Sequence, residues 1–297
     1  MVVVKNDNKL HKETEQRKKT FNGLTAREWT LLSKNVWNDV SSPRRKKHLD
    51  HGATFPEKLS NRLIRIYSKE GDLILDPFLG TGTTLESCHK TNRNGIGIEL
   101  NEKFVKHAKE IAKQAALDGK ITLEVIHDDC RNILKYVKNN SVQAMITSPP
   151  YANFIRRSVK DREKTHKTSL IRINNKSTVK PYSDDKNDFG NLDYVDFLKE
   201  LKPVLNDLYK VTAPGGYNIW VVKDYRDTKK GVPYISFHHD LANLGGEVGF
   251  KFHDLIVWDQ NAQRSLVLLG YPPIFYTNQN CSFLVVFRKP VNDVKKD

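Results

Sequence analysis

Three short stretches of this 297-residue chain carry residue types that could do chemistry together. The first is Thr147-Ser148-Pro149-Pro150-Tyr151, which follows the apolar run Val142–Ile146. Two prolines directly after a strand can neither continue a ladder nor start a helix easily, so they make a stiff exit from the sheet. Ser148 before them and Tyr151 after them would form a small rigid pocket. The Ser148 hydroxyl and the Pro149 carbonyl could each accept one hydrogen of an exocyclic amine. Such acceptance would localise the amine lone pair toward an incoming methyl group, and Tyr151 offers a face for an extruded base.

The second stretch is Leu75-Asp76-Pro77-Phe78-Leu79-Gly80-Thr81-Gly82-Thr83-Thr84. It joins an apolar run at 72–75 to a helical segment at 83–91. Gly80 and Gly82 let the backbone approach a ligand closely, and the helix behind them presents unpaired N–H groups. The third is Glu99, 19 residues after Gly80 at the end of Gly95-Ile96-Gly97-Ile98. An acid there is placed to accept hydrogen bonds from a ribose diol. Asp128-Asp129-Cys130 closes the next strand. One aspartate caps the following helix and the other is free to meet an adenine amino group.

These stretches need a scaffold, and the flanking pattern supplies one. Strands are expected at 72–75, 94–99, 121–126, 142–147, 217–223, 251–258 and 281–288. Helices are expected at about 56–67, 83–91, 101–117, 130–137, 193–211 and 234–243, with a further helical segment over Thr25 to Val40. Alternating short apolar runs with helices specify an α/β fold, a mostly parallel sheet with helices on both faces. Residues 1–50 read as a basic N-terminal arm and helix, and 51–297 as the catalytic domain, interrupted by a polar insertion at 152–190.

Charge separates the substrate side from the rest. The formal net charge is +14, of which residues 1–50 carry +6 and residues 152–182 carry +7, which leaves about +1 for the remainder. Two basic segments on a near-neutral core point to a polyanion partner. No apolar run approaches the roughly 20 residues of a membrane span. The opening Met1-Val2-Val3-Val4-Lys5 is too short for a signal peptide. Cys88, Cys130 and Cys281 form no CxxC pair, which argues against a disulfide framework or structural zinc and fits a reducing cytoplasm. The adjacent His238 and His239 point in different directions on a helix, so no metal site is assigned.

The run Asp76–Thr84 followed by Thr147–Tyr151 resembles the amino-group DNA methyltransferases, which methylate cytosine N4 or adenine N6 with S-adenosylmethionine. The resemblance is strong over about residues 50–151 and looser through Pro214-Gly215-Gly216, Trp220 and Trp258. It implies a Rossmann-like class I methyltransferase fold with about seven strands. It also implies a cofactor pocket lined by Thr54, Phe55, Asp76, Pro77, Phe78, Gly80, Gly82, Thr83, Glu99 and Asp129, with Asp76 toward the α-ammonium. Ser148, Pro149, Pro150 and Tyr151 would be catalytic. Ser-Pro-Pro-Tyr is the form typical of cytosine-N4 enzymes, whereas adenine enzymes mostly start the motif with Asp or Asn. No cysteine follows a proline, which disfavours methylation at carbon five of cytosine. Arg44, Arg45, Arg156, Arg157, Arg162 and Arg172 are the candidate contacts to double-stranded DNA, with 223–231 as an auxiliary segment. Adenine-N6 methylation, an RNA base-amine methyltransferase and an inactive nucleic-acid-binding module remain the rival readings. A homodimer and a cognate restriction endonuclease are further partners left open.

Overall fold

The computed structural model describes residues 22–41, 55–152, 188–227, 230–264 and 274–291. In chain order the elements are α1 (Ala26–Leu32), β1 (Val36–Trp37), α2 (Glu57–Tyr67), β2 (Leu73–Asp76), α3 (Thr83–Lys90), β3 (Asn94–Glu99), α4 (Glu102–Asp118), β4 (Leu123–His127) and β5 (Val142–Thr147). They continue as α5 (Tyr194–Val211), β6 (Thr212–Val222), β7 (Tyr225–Asp227), β8 (Val232–Ile235), α6 (Phe237–Glu247), β9 (Lys251–Asp259) and β10 (Cys281–Arg288).

The main sheet has the order β1-β9-β10-β6-β5-β2-β3-β4. β10 is antiparallel to both its neighbours, and the other pairings are parallel. The central parallel strands β2 and β5 are buried on both faces and read accordingly as nearly continuous apolar runs. One face packs Leu75, Met145, Trp220 and Val285 against α5 and α6. The other packs Ile74, Ile146, Val221 and Leu284 against α2. This is the mostly parallel α/β sheet that the pattern specifies, in the Rossmann-like form that the resemblance implies.

There are eight strands rather than about seven, and the extra one comes from the N-terminal segment. The helix expected over 25–40 stops at Leu32. Thr25 and Glu28 form a reciprocal capping box that starts it, and no apolar face continues beyond it. Val36 and Trp37 then pair in parallel with Val257 and Trp258. Trp37 and Val40 are buried with Leu59 and Leu63 of α2. Arg62 holds the segment down: its guanidinium pairs with both Asp39 oxygens at 2.8 and 2.9 Å and lies 4.8 Å over the Trp37 ring. Two smaller departures follow the same logic of local capping and pairing. The helix expected at 130–137 is a 3-10 segment over Cys130–Lys135, and the auxiliary segment 223–231 carries β7, the first strand of a hairpin that β8 completes at Ile235.

Two glycines set the sheet edge. Gly82 caps α3 with φ of 91°, and a Cβ there would stand 2.9 Å from Ile111 Cδ1 and 3.2 Å from the Ala108 backbone. A Cβ on Gly97 would lie 2.5 Å from a Leu79 methyl, so β3 needs glycine to let the turn after β2 pack onto it.

Candidate active site

The carboxyl ends of β2, β3, β4 and β5 open onto one pocket. Its walls include Pro77, Phe78, Glu99, Asn101, Phe104, Asp128, Asp129, Cys130, Ser148, Pro150, Asp188 and Phe189. Six of the residues singled out from sequence meet there: Pro77, Phe78, Glu99, Asp129, Ser148 and Pro150. Among the described wall residues there is no lysine or arginine, while four are carboxylates.

The cofactor-side acids are held by hydrogen bonds. Glu99 accepts from the Gly80 N–H at 2.7 Å and from the Asn101 N–H at 2.8 Å. Burial nonetheless pushes its carboxyl up to about 7. Asp129 caps the 3-10 segment through the Arg131 N–H at 2.9 Å and takes two further bonds from the Arg131 guanidinium. Asp128 accepts from Tyr136 at 2.6 Å and Asn132 at 2.9 Å, and the Tyr136 bond in particular holds its carboxyl below the usual range. The capping aspartate is thus Asp129, and both acids reach the pocket wall.

Asp76 sits behind this wall rather than in it. It is 1% exposed and accepts from Thr147 Oγ1 at 2.6 Å, Thr84 Oγ1 at 2.5 Å and the Phe78 N–H at 3.1 Å. One carboxylate thereby ties the end of β2 to the start of α3 and to the end of β5. Burial pushes it up to about 6. Gly80, Gly82 and Thr83 also lie behind the wall, shaping the turn, and Phe55 packs on the α2 face of the sheet. Thr54, Arg44, Arg45, Arg156, Arg157, Arg162 and Arg172 lie outside the described residues.

The Ser-Pro-Pro-Tyr stretch leaves β5 directly beside the cofactor-side acids. Ser148 Oγ is 3.4 Å from the Tyr151 hydroxyl, which is itself 3.4 Å from the Val221 carbonyl. Both contacts exceed the 2.5–3.0 Å of a good O–H···O bond, so these hydroxyls are loosely held. Burial pushes the Tyr151 phenol up, which keeps it neutral. Its ring meets Phe237 edge-on at 6.4 Å. The next residue, Ala152, is buried with φ of 43°, a left-handed conformation that costs a non-glycine residue on the order of 1 kcal/mol. Backbone strain therefore sits at the end of the tetrapeptide.

Sequence reading missed Asp188 and Phe189. They stand at the end of the stretch assigned to the insertion, where nothing in the local pattern marks them as pocket residues. Phe189 is 3% exposed, meets Phe78 edge-on at 5.8 Å and carries the Arg131 guanidinium 5.0 Å over its ring. Asn101 and Phe104 had a usable signal, since the residues opening the helix after Glu99 must face the same edge.

Parts of the chain are similar to known proteins. A family model described as DNA methylase, of the N6/N4 methyltransferases, matches residues 2–110. The type II methyltransferase M.HpaI of Haemophilus parainfluenzae is 45% identical over 65 residues, covering 22% of this chain and 21% of the relative. M.BglI of Bacillus subtilis is 38% identical over 86 residues, 29% of this chain and 24% of the relative. The orphan methyltransferase M.BamHII of Bacillus amyloliquefaciens is 38% identical over 84 residues, 27% and 31%. The matches thus span between a fifth and a third of these relatives' length. Among solved structures, a DNA modification methylase from Thermus thermophilus aligns over 57% of this chain and 53% of its own, with 21% identity and a TM-score of 0.35. An rRNA methylase from Clostridium thermocellum covers 77% and 95%, with 16% identity and a TM-score of 0.44. The likeness to the family model and to the curated methyltransferases is thus confined to part of the chain.

Proposed function

We propose that this protein is a DNA methyltransferase that uses S-adenosylmethionine to methylate an exocyclic base amine, cytosine N4 in preference to adenine N6. The observation that carries the reading is that Ser148 and Pro150 share one pocket with Phe78, Glu99 and Asp129. A base amine held by the tetrapeptide would therefore face whatever the acidic half of the pocket binds.

The pocket's chemistry fits the cofactor. Four carboxylates and no cation among the described wall residues favour a positively charged ligand and oppose a nucleotide phosphate. Phe78, Phe104 and Phe189 supply apolar faces for a purine. Glu99 is the acceptor for the ribose hydroxyls, and Asp128 or Asp129 for the adenine amine. Asp76, fully bonded internally, supports the turn that carries Pro77 and Phe78. When bound, S-adenosylmethionine supplies an electrophilic methyl group on a sulfonium.

The chain's own residues do the remainder. Ser148 Oγ and the Pro149 carbonyl accept the two amine hydrogens, which concentrates electron density on nitrogen. Tyr151 stacks on the flipped base, whose extrusion costs a few kcal/mol. Double-stranded DNA is the substrate and the cytoplasm the site of action in this reading. Among the described residues no helix is long and apolar enough to cross a membrane.

The test is transfer of labelled methyl groups into unmethylated DNA, followed by mass analysis of the nucleosides. N4-methylcytosine is expected. N6-methyladenine would correct the base, methylation of RNA alone would correct the substrate, and cofactor binding without transfer to either would sink the enzyme reading.

A further inference from the structure

We propose that the β7–β8 hairpin and residues 274–280 form the surface on which double-stranded DNA lies while its target base enters the Ser148–Tyr151 pocket, with Phe275 pressing into the base stack. The inference rests on the DNA reading above and adds the place where the duplex is held.

Topology brings these two segments to the active edge. β6 runs parallel to β5, so the chain leaves it at the same edge as Ser148 and turns directly into the hairpin. β10 runs the other way, with Phe283 opposite Val222, so the segment preceding it arrives at that edge too. Tyr151 lies by the elements that flank the hairpin, its hydroxyl 3.4 Å from the Val221 carbonyl of β6 and its ring edge-on to Phe237 of α6.

The hairpin is fixed in place by a buried carboxylate. Asp224 is 2% exposed and accepts from the Tyr234 hydroxyl at 2.7 Å, the His238 N–H at 3.1 Å and His238 Nδ1 at 2.8 Å. Arg226 then braces the hairpin against the second segment. Its guanidinium lies 5.0 Å over the Tyr276 ring and 6.0 Å over the Tyr234 ring, and it donates to the Thr277 carbonyl at 3.0 Å.

What this brace displays is apolar and aromatic surface among cations. Tyr234 is 47% exposed, Ile274 50% and Phe275 82%. Arg226, Lys230 and Arg264 belong to the same edge. The nearby acids are Asp193, which pairs with Lys230 at 3.5 Å, Asp227, and Asp224, which is buried and bonded within the fold. The combination of positive charge with exposed aromatic and aliphatic side chains matches a phosphate backbone flanking base faces. An extruded base leaves a gap in the duplex, and a side chain as exposed as Phe275 can occupy it without unpacking the core.

The experiment uses the full chain with Phe275→Ala, Arg226→Ala and Arg226→Lys. Binding is read by anisotropy of a fluorescein-labelled 30-base-pair duplex, transfer on unmethylated plasmid DNA, and cofactor-site integrity by calorimetry with S-adenosylhomocysteine. Phe275→Ala is expected to lower kcat/KM on plasmid DNA about tenfold, with a smaller loss on the same DNA after heat denaturation, where no stack must be opened. Arg226→Ala is expected to weaken duplex binding about fivefold or more and to reduce its salt dependence, with Arg226→Lys restoring the salt dependence but not the full affinity. Cofactor-site affinity should stay within about twofold in all three, which also reports that they fold. Unchanged duplex binding and unchanged transfer in the two alanine variants would overturn the surface, as would losses confined to an RNA ligand. A wild type that transfers no methyl group to DNA sinks the functional reading instead. Arg226-dependent duplex binding would still support the surface in that case, and Arg226-independent binding would overturn it.

Discussion

The two halves of the active edge are built differently. On the β2–β3–β4 side every acid singled out is locked by two or three hydrogen bonds from residues close by in the chain or on the adjoining strand. Glu99 takes the Gly80 and Asn101 amides, Asp129 takes Arg131, and Asp76 takes Thr84, Thr147 and Phe78. On the β5–β6 side the hydroxyls of Ser148 and Tyr151 have only 3.4 Å contacts, and the tetrapeptide ends in a left-handed alanine. The first half is preorganised before any ligand arrives. The second leaves its hydroxyls loosely held among the described residues. In the proposed reading the rigid side would receive the cofactor as a whole molecule and the looser side a base extruded from the duplex.

That contrast can be broken or sharpened by substitution. The largest effect is expected from Ser148→Ala, which removes an amine acceptor and should cut methyl transfer by about 10²-fold or more, with cofactor affinity nearly unchanged. Equal losses of rate and cofactor affinity in single-turnover and calorimetric measurements would show that the two halves are not separate.

Asp76→Ala comes next and acts on folding. It leaves two buried hydroxyls and an amide without their acceptor, at a cost on the order of 3 kcal/mol in urea denaturation. Asp76→Asn refines this through pH. The folded carboxyl, pushed up to about 6, lies above its unfolded value. The wild type therefore loses stability as pH rises from about 4 to about 6, and the asparagine variant should lack that component. Identical pH–stability curves would remove Asp76 from the account.

Glu99→Gln is expected to weaken cofactor binding by about tenfold at pH 8. The ionised form is the better acceptor for ribose hydroxyls, and the wild-type carboxyl sits at about 7. Wild-type affinity for S-adenosylhomocysteine should accordingly rise with pH through that value, and the glutamine variant should be flat. The smallest change is predicted for Tyr151→Phe, which keeps the ring and loses only two long contacts. Transfer should fall by no more than about threefold, against a much larger fall for Tyr151→Ala. Similar losses in both would mean that the hydroxyl, not the ring, matters.

The same contrast explains what the sequence could reveal. The cofactor half was legible because its parts are local: a strand, a glycine turn and a helix within Leu73–Lys90, then an acid at a fixed distance. That Asp76 is buried was not legible, because its burial involves a bond from Thr147, 71 residues away. The target half was legible at Ser148–Tyr151, where proline makes the local geometry unusual. Asp188, Phe189, Asp224 and Arg226 were not singled out, since each acquires its role from partners that only the folded sheet brings near. The N-terminal helix was overextended for a related reason. Val36-Trp37 has no strand-forming context of its own and becomes a strand only against Val257-Trp258.

That two-residue strand has a consequence for how the molecule keeps to itself. β1 covers only the Val257–Trp258 end of β9, and without it that end, where Ile256 and Trp258 are now 3% and 7% exposed, would join the open border already formed by 251–254. An uncovered apolar border is a template for strand addition by a neighbouring chain. β1 is too short to serve as such a template in turn, and the Arg62–Asp39 pair with Trp37 beneath it keeps the cover in place. A version of the protein trimmed back to α2 would be expected to uncover the Val257–Trp258 end of β9 and to lose solubility relative to the full chain.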